Sequence, residues 1–392
     1  MKKQVSTNSI CFLFVFLFIL SMGFLLNLRN LVQNRGTVYE IYLEEGYSKA
    51  YFEKIDNLYR ENVNKKDKWI EMYGAVQRLL GRSIIGNMEY VKNENGLINF
   101  MLNIDAQDIV NADVISNDLL TLNSVCREKG IPFFYVPLPL RNDGSVPSGL
   151  VNANLYFEKI RKNIENEEVS IVNVANLLKI EKMPLEKFYM KTDVHLTTEA
   201  EILIANILAK VLQDKGVNIG EELITGTDDS RYNMHSHKLL GNLARSVGKY
   251  YNGVDIFNEY IPVDDRNTMF IMKDLVSDNF LKDGIYSHVV MNNYDDLGDE
   301  NLYWVTNYLR FGQYAYNIEN KQSDGPNLLI IADSCGYRAI AFLTLCCRNI
   351  TFIDPRFPVK GINAIENAMD QYNYDAVICL HGYPLGDSLY GK

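Results

Sequence analysis

The clearest pattern along the chain lies near its C-terminal end, where continuous apolar runs alternate with segments of helical periodicity. The runs at 327–333, 349–354 and 375–380 are mainly apolar, and each has the length of one buried strand. Between them, 337–347 and 362–372 space their apolar residues as helices do. Strands that are apolar on both faces and alternate with helices are typical of a parallel sheet covered on both sides. These segments therefore predict an α/β fold.

The same alternation begins earlier in the chain. It consists of three helices and two strands, at 113–130, 154–168, 198–216, 131–140 and 169–174. A Lys-Gly pair closes the first helix, and prolines close the first strand. Thr198 and Glu201, in the third helix, have the spacing of a capping box. We expect the two earlier strands to join the C-terminal sheet.

Two regions lack this clear alternation. Residues 29–100 begin with charged and tyrosine-rich sequence, and we expect them to form a membrane-proximal helical stalk. Residues 217–325 are rich in Asn, Asp and Tyr and show no clear period. They predict a long insertion with some elements of its own, within a main domain that covers 101–392. Segments of this length often carry functional loops.

The N-terminus holds the apolar stretch ICFLFVFLFILSMGFLL, at 10–26, which runs for 17 residues without a charge. A helix of that length barely spans the hydrocarbon core of a bilayer. No small-residue cleavage site follows, which favours an uncleaved signal anchor over a removable signal peptide. We therefore expect residues 1–28 to form a cytoplasmic tip and one membrane span. The basic residues on its two sides roughly balance, so charge alone leaves the orientation open.

Composition narrows the possible functions. The chain has 49 acidic and 39 basic residues, a formal net charge of −10, and no cluster of Lys and Arg. This argues against a nucleic-acid partner. The six cysteines include no C-x-x-C pair and lie mostly in apolar segments. They therefore indicate small buried side chains rather than a disulfide framework or a zinc site.

Ser334 is the first candidate for chemistry, because it follows a predicted strand and opens a helix. Active residues of parallel sheets lie at the carboxyl ends of strands. Amides at a helix start are free and carry the positive end of the helix dipole, so Ser334 and Gly336 would provide an oxyanion site. A serine that only caps the helix explains the same position, and on local sequence both interpretations stay open. Cys335 is an alternative nucleophile, although neighbouring residues point in different directions.

Asp193 and His195 are the second candidate. In an extended segment, residues two apart point to the same face, so the carboxylate could hold one imidazole nitrogen and leave the other free to accept a proton from a serine. The alternative is that Asp193 caps a turn and His195 is an ordinary loop histidine. His235 and His237 have the spacing of a metal-ligand pair and could complete a metal site with the first pair. Their simpler interpretation is a polar loop, and we predict no metal.

Several motifs together carry a resemblance to a known family. They are YMKTDVHLTTEA at 189–200, LLIIADSCGYRAIAFL at 328–343, ITFIDPRF at 350–357, GIPFFYVPLPLRND at 130–143 and LLGNLARSVGKYY at 239–251. These resemble the motifs of the alginate O-acetyltransferase-like, SGNH-hydrolase-like proteins, often called DHHW proteins. The resemblance covers roughly residues 70–385. The Asp-x-His motif precedes the serine in this sequence, as it does in that family. Ordinary SGNH esterases have the reverse order. Leu196 replaces the usual tryptophan, and Ala332 replaces the usual glycine.

The resemblance implies an SGNH-hydrolase-like parallel sheet flanked by helices and a polysaccharide O-acetyltransferase activity. Ser334 would carry the acyl group, His195 would be the general base, and Asp193 would orient it. Three further residues would contact the substrate: Arg356, His381 and Tyr383.

The resemblance also implies where the protein works and with what. The protein would be a single-pass cell-membrane protein whose catalytic domain lies outside the cytoplasm. Its partner would be a membrane-bound O-acyltransferase that supplies the acetyl group, so we expect no dissociable cofactor. Two other functions stay open. One is a polysaccharide acetyl esterase with the same triad, and the other is a non-catalytic adaptor of the acyltransferase.

Overall fold

The computed structural model describes most of the chain from residue 32 onwards. The described ranges are 32–86, 89–100, 106–139, 141, 153–219, 231–275, 277, 279–290, 315–357, 363–382 and 388–390, with isolated positions between 14 and 30. The chain divides into two compact units, Met1–Gly74 and Ala75–Lys392.

The first unit is helical in its described part. Its helices are α1 (Arg35–Glu45), α2 (Lys49–Glu61) and the first part of α3 (Lys66–Leu79). Ser48 caps α2 by accepting a hydrogen bond from the Tyr51 amide. The apolar run at 10–26, which we predict to be an anchor, lies mostly outside the described residues. Among the residues that are described, no helix has both the length and the apolar character needed to cross a bilayer.

An eight-stranded sheet forms the centre of the second unit, in the order β5-β4-β13-β11-β12-β10-β8-β9. The strands are β4 (Phe133–Pro137), β5 (Ser170–Ile171), β8 (Phe270–Asp274), β9 (Phe280–Gly284), β10 (Ala315–Asn320), β11 (Asn327–Ala332), β12 (Asn349–Ile353) and β13 (Ala376–His381). The strands from β5 to β12 in this order pair in parallel, and β10, β8 and β9 extend the sheet as antiparallel strands.

Helices cover both faces of this sheet. The described helices of this unit after α3 are α4 (Ala106–Glu128), α5 (Ala153–Ile164), α6 (Val174–Ile180), α7 (Leu185–Phe188), α8 (Thr198–Asp214), α9 (Asn242–Val247), α10 (Lys249–Asn252), α11 (Tyr286–Val289), α12 (Tyr337–Leu343) and α13 (Ala364–Gln371). Among them, α9 and α10 pack in a separate cluster. In β11, Leu328 and Ile330 join the cluster that includes α8 and α12, whereas Leu329 and Ile331 join the cluster that includes α4, α5 and α13. The predicted α/β fold, with strands apolar on both faces, is therefore confirmed.

The predicted helical stalk ends earlier than expected. Residues 84–100 form a small antiparallel sheet of β1 (Ile84–Ile85), β2 (Tyr90–Lys92) and β3 (Ile98–Phe100). Ile85 and Ile98 pack in one cluster with Leu243, Val247 and Tyr251, from α9 and α10. This stretch therefore belongs to the second unit, because its short apolar segments are buried against residues far along the chain.

The region 217–325 is also more regular than its sequence suggested. Its first part contains the hairpin of β6 (Tyr232–Leu239) and β7 (Asp255–Pro262), followed by a short 3₁₀ helix at Asp265–Asn267. Its later part supplies β8, β9 and β10 to the central sheet. The region therefore has elements of its own, as predicted, but the sequence did not indicate that three of its strands join the central sheet. In β8, buried and half-buried positions alternate, which is the period of a strand.

Candidate active site

The turn after β11 carries Ser334 and is fixed by the aspartate before it. Asp333 is fully buried, and its Oδ1 accepts a hydrogen bond from the Cys335 amide at 2.9 Å. Its Oδ2 accepts one from the Gly382 amide at 2.9 Å, which joins the ends of β11 and β13. A Cβ at position 336 would lie 2.8 Å from the Ala332 Cβ, so the tight turn requires glycine there. Ser334 itself is half-buried at the carboxyl edge of the parallel sheet.

The predicted oxyanion donors are only partly available in this structure. The Gly336 amide donates to the Asp333 carbonyl at 3.0 Å, so it already has a partner within the turn. The Ser334 hydroxyl makes no hydrogen bond with the described part of the chain, including His195. Nucleophile–base hydrogen bonds are often long in substrate-free enzymes. The oxyanion role of these two residues stays a prediction.

Asp193 and His195 form a close pair in the loop before α8. The His195 Nδ1 and the Asp193 Oδ1 are 2.6 Å apart, and the two side chains are 15% and 5% exposed. The other carboxylate oxygen accepts a hydrogen bond from the Asn242 amide, the first of α9, at 2.8 Å. Burial by itself would raise the pKa of Asp193, but the His195 charge and these hydrogen bonds lower it below its ordinary range. The carboxylate therefore stays ionised and holds one nitrogen of the imidazole.

Residues 190–196, which we call the Asp–His loop, are held by side chains from distant parts of the chain. Asp255 accepts hydrogen bonds from the Lys191 amide at 3.0 Å and from the Thr192 amide at 2.7 Å. Arg141 donates to the carbonyls of Met190 and Lys191. Hydrogen bonds to charged groups are stronger than neutral ones, so this loop has a defined position without regular secondary structure.

A second arginine connects this loop to the helix that follows Ser334. Arg338 lies in α12 and donates to the carbonyl of Leu196, the residue after His195. It also forms an ion pair with Glu201 of α8, with 2.5 Å between Nη2 and Oε1. The predicted capping box was wrong, because Thr197 caps α8 and Glu201 points to Arg338 instead. Each of the two apolar helical segments contains one of these charged residues, but the sequence does not show that they contact each other.

Cys335, the alternative nucleophile, is poorly suited to that role. Its side chain is 1% exposed, and burial raises the pKa of its thiol well above the ordinary value. Because the thiolate is the reactive form, the thiol is inert at neutral pH. Its Sγ would lie 3.6 Å from a Cβ placed at position 382, so it packs against the neighbouring strand end.

The three predicted substrate-binding residues have different positions. The Arg356 guanidinium donates two hydrogen bonds to Asp354, at 3.0 and 2.7 Å, and the side chain is 24% exposed. His381 is fully buried, 3.2 Å from the Tyr135 hydroxyl and stacked on Phe157, so it belongs to the core and the expectation that it lines the site is not supported. Tyr383 lies outside the described residues.

The predicted histidine pair of the alternative metal site lies on β6. His237 Nε2 is 3.4 Å from the Glu259 carboxylate on β7, and His235 is paired with Glu259 in the register of the two strands. Within the described ranges, no group of three histidine, cysteine or carboxylate side chains is arranged to hold a metal ion.

Comparison with solved structures gives the wider context of this geometry. PatB1 of Bacillus cereus is similar over 75% of this chain and 95% of its own, with 15% identity and a TM-score of 0.56. A DHHW family protein from Eubacterium siraeum matches 75% of this chain and 92% of its own, with 17% identity and a TM-score of 0.49. The O-acetyltransferase domain of Pseudomonas putida AlgJ matches 77% and 92%, with 11% identity and a TM-score of 0.43.

The chain shares the fold of PatB1. No family model and no curated protein sequence matches the chain. At these identities the likeness extends to the fold, and the assignment of chemistry depends on the residues of the site.

Proposed function

We propose that this protein is an O-acetyltransferase that acts on a cell-surface or extracellular polysaccharide through an acetyl-serine. The observation that carries the proposal is the buried Asp193–His195 pair, whose loop is bonded through Arg338 to the helix that begins beside Ser334. The presence of the AlgJ O-acetyltransferase domain among the structural neighbours agrees with this chemistry.

In the first half of the proposed reaction, the Ser334 oxygen attacks the carbonyl carbon of an acetyl donor. His195 accepts the serine proton on Nε2, because Nδ1 is held by Asp193. The donor's leaving group departs with that proton, and the acetyl group remains on Ser334. In the second half, a sugar hydroxyl gives its proton to His195 and attacks the acetyl-serine. The serine oxygen recovers the proton, and the product is an acetylated sugar.

We propose that a membrane-bound O-acyltransferase supplies the acetyl group, so no dissociable cofactor is required. We also propose that the N-terminal apolar run anchors the protein in the cell membrane with the catalytic domain outside the cytoplasm. Protease added to intact spheroplasts should then digest the domain, and full protection of the domain would contradict this topology.

The reaction can be tested by mass spectrometry of the protein after treatment with an activated acetyl ester, with and without an oligosaccharide acceptor. We expect acetylation at Ser334 that is lost in Ser334→Ala, is kept in Cys335→Ala, and moves to the sugar when acceptor is present. Release of free acetate with no acetylated sugar across several acceptors would favour an esterase. Absence of any acyl-enzyme, together with intact glycan binding, would favour an adaptor.

A further inference from the structure

We propose that Arg338 and Glu201 are positioning residues that set the geometry between Ser334 and His195. This inference rests on the proposed acyl-serine chemistry. Both residues are buried, and neither contacts the reacting atoms. Their role would be to hold the nucleophile and the base in the correct relative position.

The contacts of Arg338 explain how it could do this. Arg338 is the second residue of α12, which begins three residues after Ser334, so its backbone moves with the helix that follows the nucleophile turn. Its guanidinium donates to the carbonyl of Leu196, the residue directly after His195. One side chain therefore joins the two segments that carry the nucleophile and the base.

Glu201 fixes the direction of that guanidinium. It lies in the first turn of α8, the helix that follows the Asp–His loop, and its Oε1 is 2.5 Å from Arg338 Nη2. The Phe257 ring, from β7, lies 5.4 Å from the Arg338 Cζ. A buried arginine between a carboxylate and an aromatic ring has few alternative rotamers, so the bond to Leu196 has a fixed length and direction.

The same pair is a poor device for stability alone. Arg338 and Glu201 are 3% and 1% exposed, and burial raises the pKa of the Glu201 carboxyl well above its ordinary value although the Arg338 charge lowers it. The attraction between the two groups therefore does not recover the full solvation cost of burying them. Among the described residues, Arg338 Nη1 and Glu201 Oε2 also have no hydrogen-bond partner. A pair of apolar side chains would fill this space without that cost. The bond to Leu196 is the contribution that apolar side chains could not replace.

The test compares Arg338→Met, Glu201→Met and the double variant with the wild type in two assays. Thermal melting reports the fold, and the second-order rate of labelling by phenylmethanesulfonyl fluoride reports the alignment of nucleophile and base. In that reaction the Ser334 oxygen bonds to sulfur, fluoride leaves, and the serine proton passes to His195. We expect the double variant to melt at or above the wild-type temperature but to be labelled about 10- to 100-fold more slowly, as for other misplaced reacting groups.

Two further variants complete the experiment. Arg338→Lys keeps the charge and should recover part of the labelling rate. Arg348→Met is the matched control. Arg348 is half exposed and forms a 3.8 Å ion pair with an exposed aspartate, so this variant should be labelled at the wild-type rate. A folded double variant with the wild-type labelling rate and an unchanged pH profile would overturn the positioning role. Absence of labelling in the wild type would instead count against the proposed acyl-serine function.

Discussion

In β11, four consecutive apolar side chains are buried against helices on the two faces of the sheet, whereas the Asp–His loop is fixed mainly through its backbone groups. Charged side chains from outside the loop, at positions 141, 255 and 338, bind those groups. The sheet therefore depends on apolar area, which is non-directional, and the loop depends on hydrogen bonds, which are directional. Substitutions in the sheet should reduce stability, and substitutions around the loop should reduce activity first.

His381 and His195 show the same difference between the core of the sheet and the Asp–His loop. His381 ends β13 in the core, and burial lowers its pKa to about 3, so it is neutral at physiological pH. His195 lies in the Asp–His loop, is 15% exposed and has a carboxylate 2.6 Å from its Nδ1. Of these two residues only His195 has a carboxylate partner, which can hold its ring in the orientation needed for proton transfer.

The largest effect should come from Asp193→Asn. The amide cannot stabilise an imidazolium, so we expect turnover of an activated acetyl ester to fall by about 10⁴-fold, as in other triads. The melting temperature should change much less. Asp324→Asn, at a fully exposed aspartate, is the matched control. An Asp193→Asn protein that melts as the wild type does and turns over at the wild-type rate would show that Asp193 is only structural.

A substitution in the sheet should lower stability and leave activity per folded molecule nearly unchanged. Ile330→Ala removes a fully buried side chain from β11 and should lower the free energy of unfolding by about 2–5 kcal/mol. Activity per folded molecule should stay near the wild-type value. Urea denaturation measures the first quantity, and Ile256→Ala, at a residue that is 60% exposed, is its control. Loss of activity without loss of stability would contradict the separation of the two regions.

Gly241→Ala tests how narrowly the Asp–His loop is placed. A Cβ at position 241 would lie 2.2 Å from the Thr192 carbonyl oxygen and 2.6 Å from the Asp193 Cβ, so the loop must shift. We expect activity to fall by about 100-fold, the effect of a displacement near 1 Å. Gly36→Ala is the control, because nothing lies within 4 Å of a Cβ there. Equal activities of the two variants would mean that the loop tolerates displacement.

The smallest effect concerns pH. His381 has a folded pKa of about 3, below its unfolded value of 6.5, so between these values the unfolded chain binds more protons and stability falls as pH falls. The loss between pH 7.5 and pH 5 should be about 2 kcal/mol. Burial raises the pKa of Glu259 to about 7, which acts in the opposite direction. The comparison of wild type with His381→Phe isolates the histidine, and identical pH slopes in urea denaturation would contradict the assignment.

Much of the fold could be predicted from the sequence. The strands at 327–333, 349–354 and 375–380 lie within one residue of the observed bounds, because a continuous apolar run is a local signal. Strands β8 to β10 were missed. They lie in a region where polar residues and tyrosines interrupt the apolar pattern. Strand β9 pairs with its sequence neighbour β8, but β10 pairs with β8 and β12, which are distant in the chain. Strand β5 is short and is defined mainly by its pairing with β4.

Part of the candidate site could also be predicted from the sequence, and part could not. The Asp-x-His spacing predicted the Asp193–His195 contact, because residues two apart in an extended segment point to one face. The roles of Arg141, Asp255 and Arg338 could not be predicted, since each binds a backbone group at least 49 positions away. His381 has the residue type of a site residue, but only its neighbours show that it is buried.

The sequence by itself determined the period of the elements, the parallel core and the types of residue available for acyl transfer. These features depend on interactions between residues that are close along the chain or on the total apolar content. Only the tertiary structure decided which charged side chains hold the Asp–His loop and that Arg338 connects it to the helix beside Ser334. Such contacts join distant segments through directional hydrogen bonds, and their partners exist only after the sheet and its helices have packed.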